Sequence, residues 1–255
     1  MGNYSALAEE NVEVAPGHYL MTLVPEEKPA RAEPGQFLYI TVTGEYDPLL
    51  RRPFSLFDVS PGERQLKIVY KLVGRGTELL KGVAVGSRVD VMGPLGTGFD
   101  IYDEGKDLLV AGGIGMAPLF YLAKKLRERN KEVTFLLGAR TKAGLLFVDE
   151  LEELGVNTLL ATDDGSQGFK GTVVDLLAAY LQNNGRPDRL YCCGPAPVYK
   201  GVLEKAKSLR LPVQISYEER MACGVGACMG CVCKPESRDS YIRVCLEGPV
   251  IKHIF

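Results

Sequence analysis

The first third of the chain carries short stretches in which apolar and polar residues alternate, each ended by a polar or proline-rich turn. Such stretches are typical of half-buried β-strands, and strands at this spacing are typical of a β-barrel or a sandwich. The pattern predicts strands over residues 19–24, 35–42, 65–72 and 87–92. Residues 76–81, which follow two closely spaced glycines, are predicted to be helical. We therefore expect a small antiparallel barrel in this part of the chain.

After residue 106 the pattern changes to apolar strands that alternate with helical segments. This alternation is typical of a parallel sheet that helices cover on both faces. The predicted strands are residues 107–111, 132–137, 157–161 and 189–193, and the predicted helices are 119–129, 147–154, 172–183 and 198–209. Ligands bind at the carboxyl ends of such strands, where glycine-rich turns lie in this sequence. A nucleotide-binding α/β domain is therefore expected.

Composition and charge narrow the class of protein without naming a function. The 255 residues are 46% hydrophobic and 24% charged, which is ordinary for a globular protein. The net charge of −2 does not indicate nucleic-acid binding. Residues 1–10 lack the apolar core of a secretory signal, and the longest uncharged run, 108–123, is too short to span a membrane. Seven cysteines without an export signal indicate a reducing compartment, so a cytoplasmic location is expected.

The C-terminal part carries the most specific motif of the sequence. Cys223, Cys228 and Cys231 have the spacing Cys-x4-Cys-x2-Cys, and Cys245 follows after thirteen further residues. This is the plant-type spacing for the ligands of a [2Fe–2S] cluster. Glycines allow the backbone to wrap closely around such a cluster, and three of them lie between the cysteines: Gly224, Gly226 and Gly230.

The cysteine spacing leaves three alternatives to an iron–sulfur cluster open. A zinc site usually needs a second ligand pair, which a single Cys245 does not supply. A disulfide framework suits small secreted domains, and a chance cluster of packed thiols is the third alternative. Cys233, two residues after Cys231, is interpreted as a structural thiol, although ligation is the alternative. The rim of the motif is apolar and indicates a close contact with a partner; its members are Met221, Val225, Met229 and Val232.

Two stretches of the predicted barrel carry chemistry that suits a dinucleotide. The first is Arg52-Pro53-Phe54-Ser55, in which the arginine offers planar donors for phosphate. The second is residues 70–77, whose glycines open a helix start where backbone N–H groups can bind an anion. Taken alone, the first stretch could be a solvated arginine pair, and the second could be an ordinary glycine turn. Their order ahead of a nucleotide-binding half favours a flavin.

The predicted α/β domain begins with a glycine-rich loop after its first strand. Gly112-Gly113-Ile114-Gly115 lacks the third glycine of the full dinucleotide fingerprint, so a simple tight turn is the alternative. Cys193 and Gly194 follow the strand at 189–193. A catalytic thiol at Cys193 is a less favoured hypothesis than a strand-end cysteine, because this half has no histidine to activate it. No catalytic acid or base is predicted.

Taken together, these motifs resemble the ferredoxin-NADP reductase superfamily over essentially the whole chain. The resemblance implies three domains: a FAD-binding barrel over 1–100, a NAD-binding α/β domain over 101–215 and a [2Fe–2S] domain over 216–255. The residues that it assigns to FAD are Arg52, Pro53, Phe54, Ser55, Val69, Tyr70, Lys71, Gly76 and Thr77. Those that it assigns to the nicotinamide cofactor are Gly112, Gly113, Gly115, Cys193 and Gly194, and the cluster ligands are Cys223, Cys228, Cys231 and Cys245.

Within that superfamily the C-terminal motif is similar to that of the electron-transfer subunits of dihydroorotate dehydrogenase B. The resemblance implies a partner subunit that holds FMN and oxidises dihydroorotate in pyrimidine biosynthesis, with electrons passing through [2Fe–2S] and FAD to NAD⁺. An α2β2 heterotetramer is expected. A related FAD/[2Fe–2S] reductase subunit of a ferredoxin-, sulfide- or hydrogenase-linked enzyme is the alternative, and a non-catalytic iron–sulfur sensor is a third. Some relatives of the second kind carry an acidic residue in place of Cys223, which favours the first interpretation.

The choice between NAD and NADP depends on two predicted strand ends. Asp163 and Asp164 close one strand and would repel a 2′-phosphate, whereas Arg140 closes the neighbouring strand and would attract one. The acidic pair and the family resemblance favour NAD.

Overall fold

The computed structural model describes residues 2–27, 29, 31–42, 47–60, 62, 64–236 and 239–255. Two compact units divide the chain between them. The first unit is Met1–Gly98 with Glu218–Val250, and the second unit is Phe99–Tyr217 with Ile251–Phe255. The predicted domain boundaries at residues 100 and 215 stay a prediction.

Six antiparallel strands form a closed barrel in the first unit, in the order β1-β2-β5-β4-β3-β6. They are β1 (Gly2–Ala15), β2 (His18–Pro25), β3 (Phe37–Ile40), β4 (Arg52–Val59), β5 (Leu66–Lys71) and β6 (Arg88–Leu95), and one helix, α1 (Arg75–Lys81), follows β5. The barrel is filled by fully buried apolar side chains such as Met21, Leu38, Leu56 and Ile68. The predicted barrel and its four predicted strands are confirmed.

Two barrel strands, β1 and β4, were not predicted from the sequence, and both have irregular hydrogen-bond registers. The pairing of β1 with β2 shifts between Ala8 and Glu10 and again between Glu13 and Ala15, so the alternation of apolar and polar residues is broken. The register of β4 with β5 also shifts, beyond Leu56. The motif at residues 52–55 lies inside β4.

The second unit is built on a sheet of seven strands in the order β10-β9-β8-β7-β11-β12-β15. Its strands are β7 (Asp107–Gly112), β8 (Val133–Ala139), β9 (Asn157–Thr162), β10 (Phe169–Lys170), β11 (Arg189–Cys193) and β12 (Val213–Ser216), with β15 (Val250–His253) after the short hairpin of β13 (Val232–Cys233) and β14 (Ile242–Arg243). Strands β7 to β12 are parallel to their neighbours. The strand order reverses between β7 and β11, which makes the carboxyl ends of these two strands the expected ligand site.

Four helices connect the parallel strands, as predicted. They are α2 (Met116–Glu128), α3 (Val148–Glu153), α4 (Val173–Asn184) and α5 (Ala196–Leu209). Helix α2 begins three residues before its predicted start, because Pro118 lies in the first turn, where a missing N–H leaves no hydrogen bond unmade. Strand β12 was not predicted, although all four of its residues are buried. Within the described ranges, no helix is both long enough and apolar enough to cross a membrane.

Candidate functional site

The four predicted cluster cysteines lie on one loop region of the first unit, and backbone N–H groups point at each of their sulfur atoms. All seven cysteines of the chain are described, and none of them forms a disulfide. Cys223 Sγ accepts from Ala227 N at 3.3 Å and from Cys228 N at 3.4 Å, and Cys228 Sγ accepts from Gly230 N at 3.4 Å. Cys231 Sγ accepts from Cys245 N at 3.4 Å, and Cys245 Sγ accepts from Gly226 N at 3.1 Å. Donors of this kind stabilise anionic sulfur and tune an iron–sulfur cluster.

The thiols are arranged in two pairs, Cys223 with Cys228 and Cys231 with Cys245. Among the described residues, no three His, Cys, Asp or Glu side chains converge as one metal ion would require. A zinc site needs three or four such ligands. A [2Fe–2S] cluster has two irons and takes two thiolates at each, so the paired arrangement fits the cluster better than zinc.

The loop controls the protonation of its thiols. Burial of Cys223 acts to raise its pKa, but backbone N–H groups of Cys228 and Val225 outweigh burial and lower the pKa to about 6. Burial and the neighbouring thiol of Cys231 raise the pKa of Cys245 to about 12. Metal binding to this loop therefore releases protons, because the ligands must be thiolates.

The spare thiol, Cys233, lies apart from this donor pattern on β13 and is half-buried. Burial, followed by the charge of Glu219 and the thiol of Cys231, raises its pKa. The pKa does not distinguish Cys233 from the predicted ligand Cys245, whose pKa is raised as well, so it is the position of Cys233 outside the donor pattern that fits the structural interpretation.

The backbone of the cluster loop needs glycine at two positions. Gly224 and Gly226 have φ angles of 71° and 78°, which other residues rarely adopt. Arg243, which sequence analysis missed, donates from Nη1 to the Gly226 carbonyl at 3.1 Å and pairs with Glu247 at 3.0 Å from Nε. The only feature of the sequence that points to this role is the position of Arg243 between two predicted ligands, Cys231 and Cys245. Of the predicted apolar rim, Val225 and Met229 are exposed, whereas Met221 and Val232 are half-buried.

The residues predicted to bind FAD lie on neighbouring strands of the barrel and on the helix that follows. Residues 52–55 lie in β4 and residues 69–71 in β5, and the two strands are hydrogen-bonded neighbours. The rings of Phe54 and Tyr70 lie 5.8 Å apart, and Tyr70 stacks on Tyr19 at 5.5 Å. Val69 and Tyr70 are buried, and Lys71 is exposed.

Arg52 and Gly76, which sequence analysis could only connect through the resemblance, are in contact. A Cβ atom on Gly76 would lie 2.7 Å from Arg52 Nε, so a larger residue there would displace the guanidinium group from this turn. Thr77 is engaged in the turn itself, because its hydroxyl oxygen accepts from Val73 N at 3.0 Å and donates to Gly74 O at 2.9 Å. The contact therefore places a planar cation at the start of α1.

Two further residues of the first unit contact the predicted FAD and cluster regions and were missed. Asn11 donates to the carbonyls of Leu80, Lys81 and Val83 and accepts from the Tyr70 hydroxyl. Tyr39, in β3, donates to the Met221 carbonyl at 3.1 Å. Burial, and after it the Cys223 thiol, raises the pKa of Tyr39 to about 12, so its hydroxyl stays a donor. Neither contact could be found from sequence, because each joins residues far apart in the chain.

The two glycine loops predicted for the nicotinamide cofactor meet at the carboxyl ends of β7 and β11. A Cβ atom on Gly115 would lie 2.4 Å from the Cys193 carbonyl oxygen, and one on Gly194 would lie 3.0 Å from Gly112 N. Gly113 has a φ angle of 55°. The structure therefore brings all five predicted residues together at the point where the strand order reverses. The Cys193 side chain is only 1% exposed, which does not suit a catalytic thiol.

The acidic turn after β9 is held against the loop after β8. Asp164 accepts from Ser166 N at 2.9 Å and from its hydroxyl at 2.6 Å, and these hydrogen bonds lower the pKa of Asp164. Ser166 in turn accepts from Lys142 N at 2.8 Å. Asp163 and Arg140 are both exposed. Asp164 is therefore engaged within its own turn.

Comparison with known proteins finds two family models that match separate parts of the chain. Residues 218–253 match the iron–sulfur cluster binding domain of dihydroorotate dehydrogenase B, and residues 109–204 match the oxidoreductase NAD-binding domain. A solved structure of an NADH-dependent reduced ferredoxin-NADP oxidoreductase, described in terms of flavin-based electron bifurcation, is 31% identical. It has a TM-score of 0.85, and the match covers 97% of this chain and 87% of that one.

Full-length relatives are closer still. The dihydroorotate dehydrogenase B (NAD(+)) electron transfer subunit of Geobacillus thermodenitrificans is 44% identical over 243 residues, 94% of this chain and 92% of the relative. The subunit of the same name from Fusobacterium nucleatum is 39% identical over 246 residues, 95% of this chain and 93% of the relative. Identity at this level over nearly the whole length confirms the predicted resemblance. The chain belongs to the family of dihydroorotate dehydrogenase B (NAD(+)) electron transfer subunits.

Proposed function

We propose that this chain transfers electrons between NAD(H) and a catalytic partner subunit, using a [2Fe–2S] cluster held by Cys223, Cys228, Cys231 and Cys245 together with bound FAD. The observation that carries the proposal is that each of the four sulfurs accepts at least one backbone N–H. When bound, the cluster supplies one-electron transfer, and the flavin supplies the exchange between single electrons and hydride. The chain's own task is to bind and orient these groups.

The FAD assignment is supported by the contact between Arg52 and the turn at Gly76. The guanidinium group would pair with the pyrophosphate, and the N–H groups of the first turn of α1 would face the same group. Ser55 and the ring of Tyr70 lie on the adjoining strands β4 and β5, where the flavin end would bind.

The NAD assignment is supported by the backbone contact of the two loops at the strand-order reversal. Gly113 has open space beside it, where a ligand could approach the backbone. Gly115 and Gly194 let the two loops pack closely, because a Cβ atom on Gly115 would lie 2.4 Å from the Cys193 carbonyl oxygen and one on Gly194 would lie 3.0 Å from Gly112 N. No side chain here is placed to move a proton, which suits hydride exchange between two cofactors.

The partner is proposed to be the FMN-containing catalytic subunit of dihydroorotate dehydrogenase, in a cytoplasmic α2β2 heterotetramer of pyrimidine biosynthesis. Dihydroorotate loses two electrons and two protons when it becomes orotate. NAD⁺ takes up both electrons and one proton as NADH, and the second proton is released. The name of these relatives, electron transfer subunit, supports a separate catalytic subunit.

The test is to co-express the chain with an FMN-containing dihydroorotate dehydrogenase and to measure dihydroorotate-dependent reduction of NAD⁺. We expect co-purification, bound FAD and iron, and NADH formation that neither subunit achieves alone. Arg52→Ala should lower the FAD content, with the iron content as its control. A wild-type chain without flavin, or full FAD content in Arg52→Ala, would overturn the assignment.

A second function is favoured by one observation, the 31% identity and the TM-score of 0.85 to a ferredoxin-linked reductase. In that case the chain would serve a ferredoxin-linked partner with the same FAD and [2Fe–2S] groups. Ferredoxin reduction by NADH without any response to dihydroorotate would support this second function.

A further inference from the structure

Tyr39 of β3 contacts both the strand that carries the predicted FAD residues and the loop that carries the predicted cluster ligands. Its backbone pairs with Pro53 of β4, next to Arg52. Arg51 Nη1 donates to the Tyr39 carbonyl at 3.3 Å. These contacts attach Tyr39 to the Arg52–Ser55 motif through the backbone.

The side chain of the same residue reaches the cluster loop. Tyr39 Oη donates to the Met221 carbonyl at 3.1 Å. A Cβ atom on Gly224 would lie 2.7 Å from Tyr39 Cδ1 and 3.0 Å from Cε1, so the loop backbone rests directly on the ring. Met221 and Gly224 lie on either side of Cys223 in sequence, and the two contacts therefore hold that cysteine from both sides.

The ring of Tyr39 is rigid and only 1% exposed, so it can fix the position of the cluster loop relative to the strand. Its strand is paired on both edges, since Tyr39 also faces Met92 of β6. The φ angle of 71° at Gly224 restricts this position to glycine, so the loop and the ring are matched in shape. A shift of the ring would have to move the barrel strand, the loop, or both.

We propose that Tyr39 is a positioning residue that fixes the cluster loop at Cys223 against the FAD-binding strand pair, and so sets the separation and orientation of the two cofactors. This inference rests on the proposed function. The rate of electron exchange between two cofactors falls steeply with their separation, so a small displacement of the loop changes the rate without removing either group.

The test uses Tyr39→Phe in the full chain, because this change removes the hydroxyl and keeps the ring on Gly224. The matched control is Tyr4→Phe, in the same barrel. Tyr4 is also buried, and its hydroxyl finds no hydrogen-bond partner among the described residues. FAD and iron content are measured first. The electron paramagnetic resonance spectrum and midpoint potential of the reduced cluster follow, and then the rate of cluster reduction after rapid mixing with NADH.

We expect Tyr39→Phe to keep FAD, to change the resonance spectrum, and to slow cluster reduction several-fold, because the rate of electron exchange falls steeply with the separation of the cofactors. Tyr4→Phe should match the wild-type chain. Gly224→Ala displaces the loop from the opposite side and should give the same spectral change. Loss of iron from Tyr39→Phe with FAD retained would also support the inference, because the hydroxyl would then be what holds the loop.

A Tyr39→Phe chain with wild-type spectrum, potential and reduction rate would overturn the inference, as would an equal effect of Tyr4→Phe. If Tyr39→Phe fails to fold, Gly224→Ala decides the question, and wild-type behaviour of that variant refutes the inference. A wild-type chain that binds neither FAD nor iron would instead refute the proposed function.

Discussion

Asn11 Oδ1 accepts a hydrogen bond from the Tyr70 hydroxyl at 2.8 Å. The amide nitrogen of the same side chain donates to Leu80 O at 3.0 Å and Val83 O at 3.1 Å, at the end of α1. One polar residue in β1 therefore connects the strand that carries Tyr70 to the helix that begins at the Arg52 contact.

Asn11→Ala should weaken FAD binding about tenfold, because it removes hydrogen bonds worth roughly 1–2 kcal/mol in total from the support of both elements. Fluorescence titration of the flavin-stripped chain measures the dissociation constant. Asn183→Ala is the control, since Asn183 also donates to a backbone carbonyl, that of Ala179 at 3.0 Å, on an exposed helix of the second unit. Equal dissociation constants for Asn11→Ala and the wild-type chain would contradict this role.

Gly115→Ala should impair NADH binding and leave FAD content unchanged. The added Cβ would lie 2.4 Å from the Cys193 carbonyl oxygen, so the two loops after β7 and β11 must separate, a strain of about 1–3 kcal/mol. The measurement is the KM for NADH in dye reduction, with FAD absorbance as the internal standard. Gly113→Ala should cost less, because its Cβ would meet nothing within 4 Å and only the positive φ is strained. A wild-type KM in Gly115→Ala would contradict the placement of the nicotinamide site.

Asp163→Ser should raise the ratio of kcat/KM for NADPH to that for NADH by about tenfold, equivalent to about 1.4 kcal/mol. The exposed Asp163 carboxylate would repel the 2′-phosphate, and serine removes that charge. Asp164→Asn is the comparison, because Asp164 is hydrogen-bonded within its own turn to Ser166. If Asp164→Asn changed the ratio more than Asp163→Ser, the two residues would have been assigned the wrong way round.

Cys228→Ala should abolish the visible absorption of the [2Fe–2S] cluster, and Cys233→Ala should retain it. Cys228 Sγ accepts from Gly230 N at 3.4 Å within the donor pattern of the loop, whereas Cys233 lies outside that pattern on β13. Iron analysis and the visible spectrum of the anaerobically purified variants distinguish the two. Cluster loss in Cys233→Ala alone would show that Cys233 is the ligand and Cys228 the spare thiol.

Much of the architecture could be predicted because its signals are local. The cysteine spacing lies within one short stretch of the chain, and so does the apolar pattern of each predicted strand or helix. Each such pattern corresponds to one structural element. Strands β1 and β4 escaped prediction because register shifts break their alternation at Ala8 and Leu56. Tyr39 could not be assigned because its contact with Met221 joins residues 182 positions apart, and no periodic pattern reports such a contact.

The first unit is assembled from two stretches of chain, residues 1–98 and 218–250, with the parallel strands β7 to β12 encoded between them. Translation therefore delivers six barrel strands and then six sheet strands before any cluster cysteine leaves the ribosome. Strand β15 (Val250–His253) of the seven-stranded sheet follows Cys245 and is therefore synthesised after the four cluster cysteines. Both units therefore include residues that follow the parallel strands β7 to β12 in the chain, so a cluster can be bound only after those strands have been synthesised.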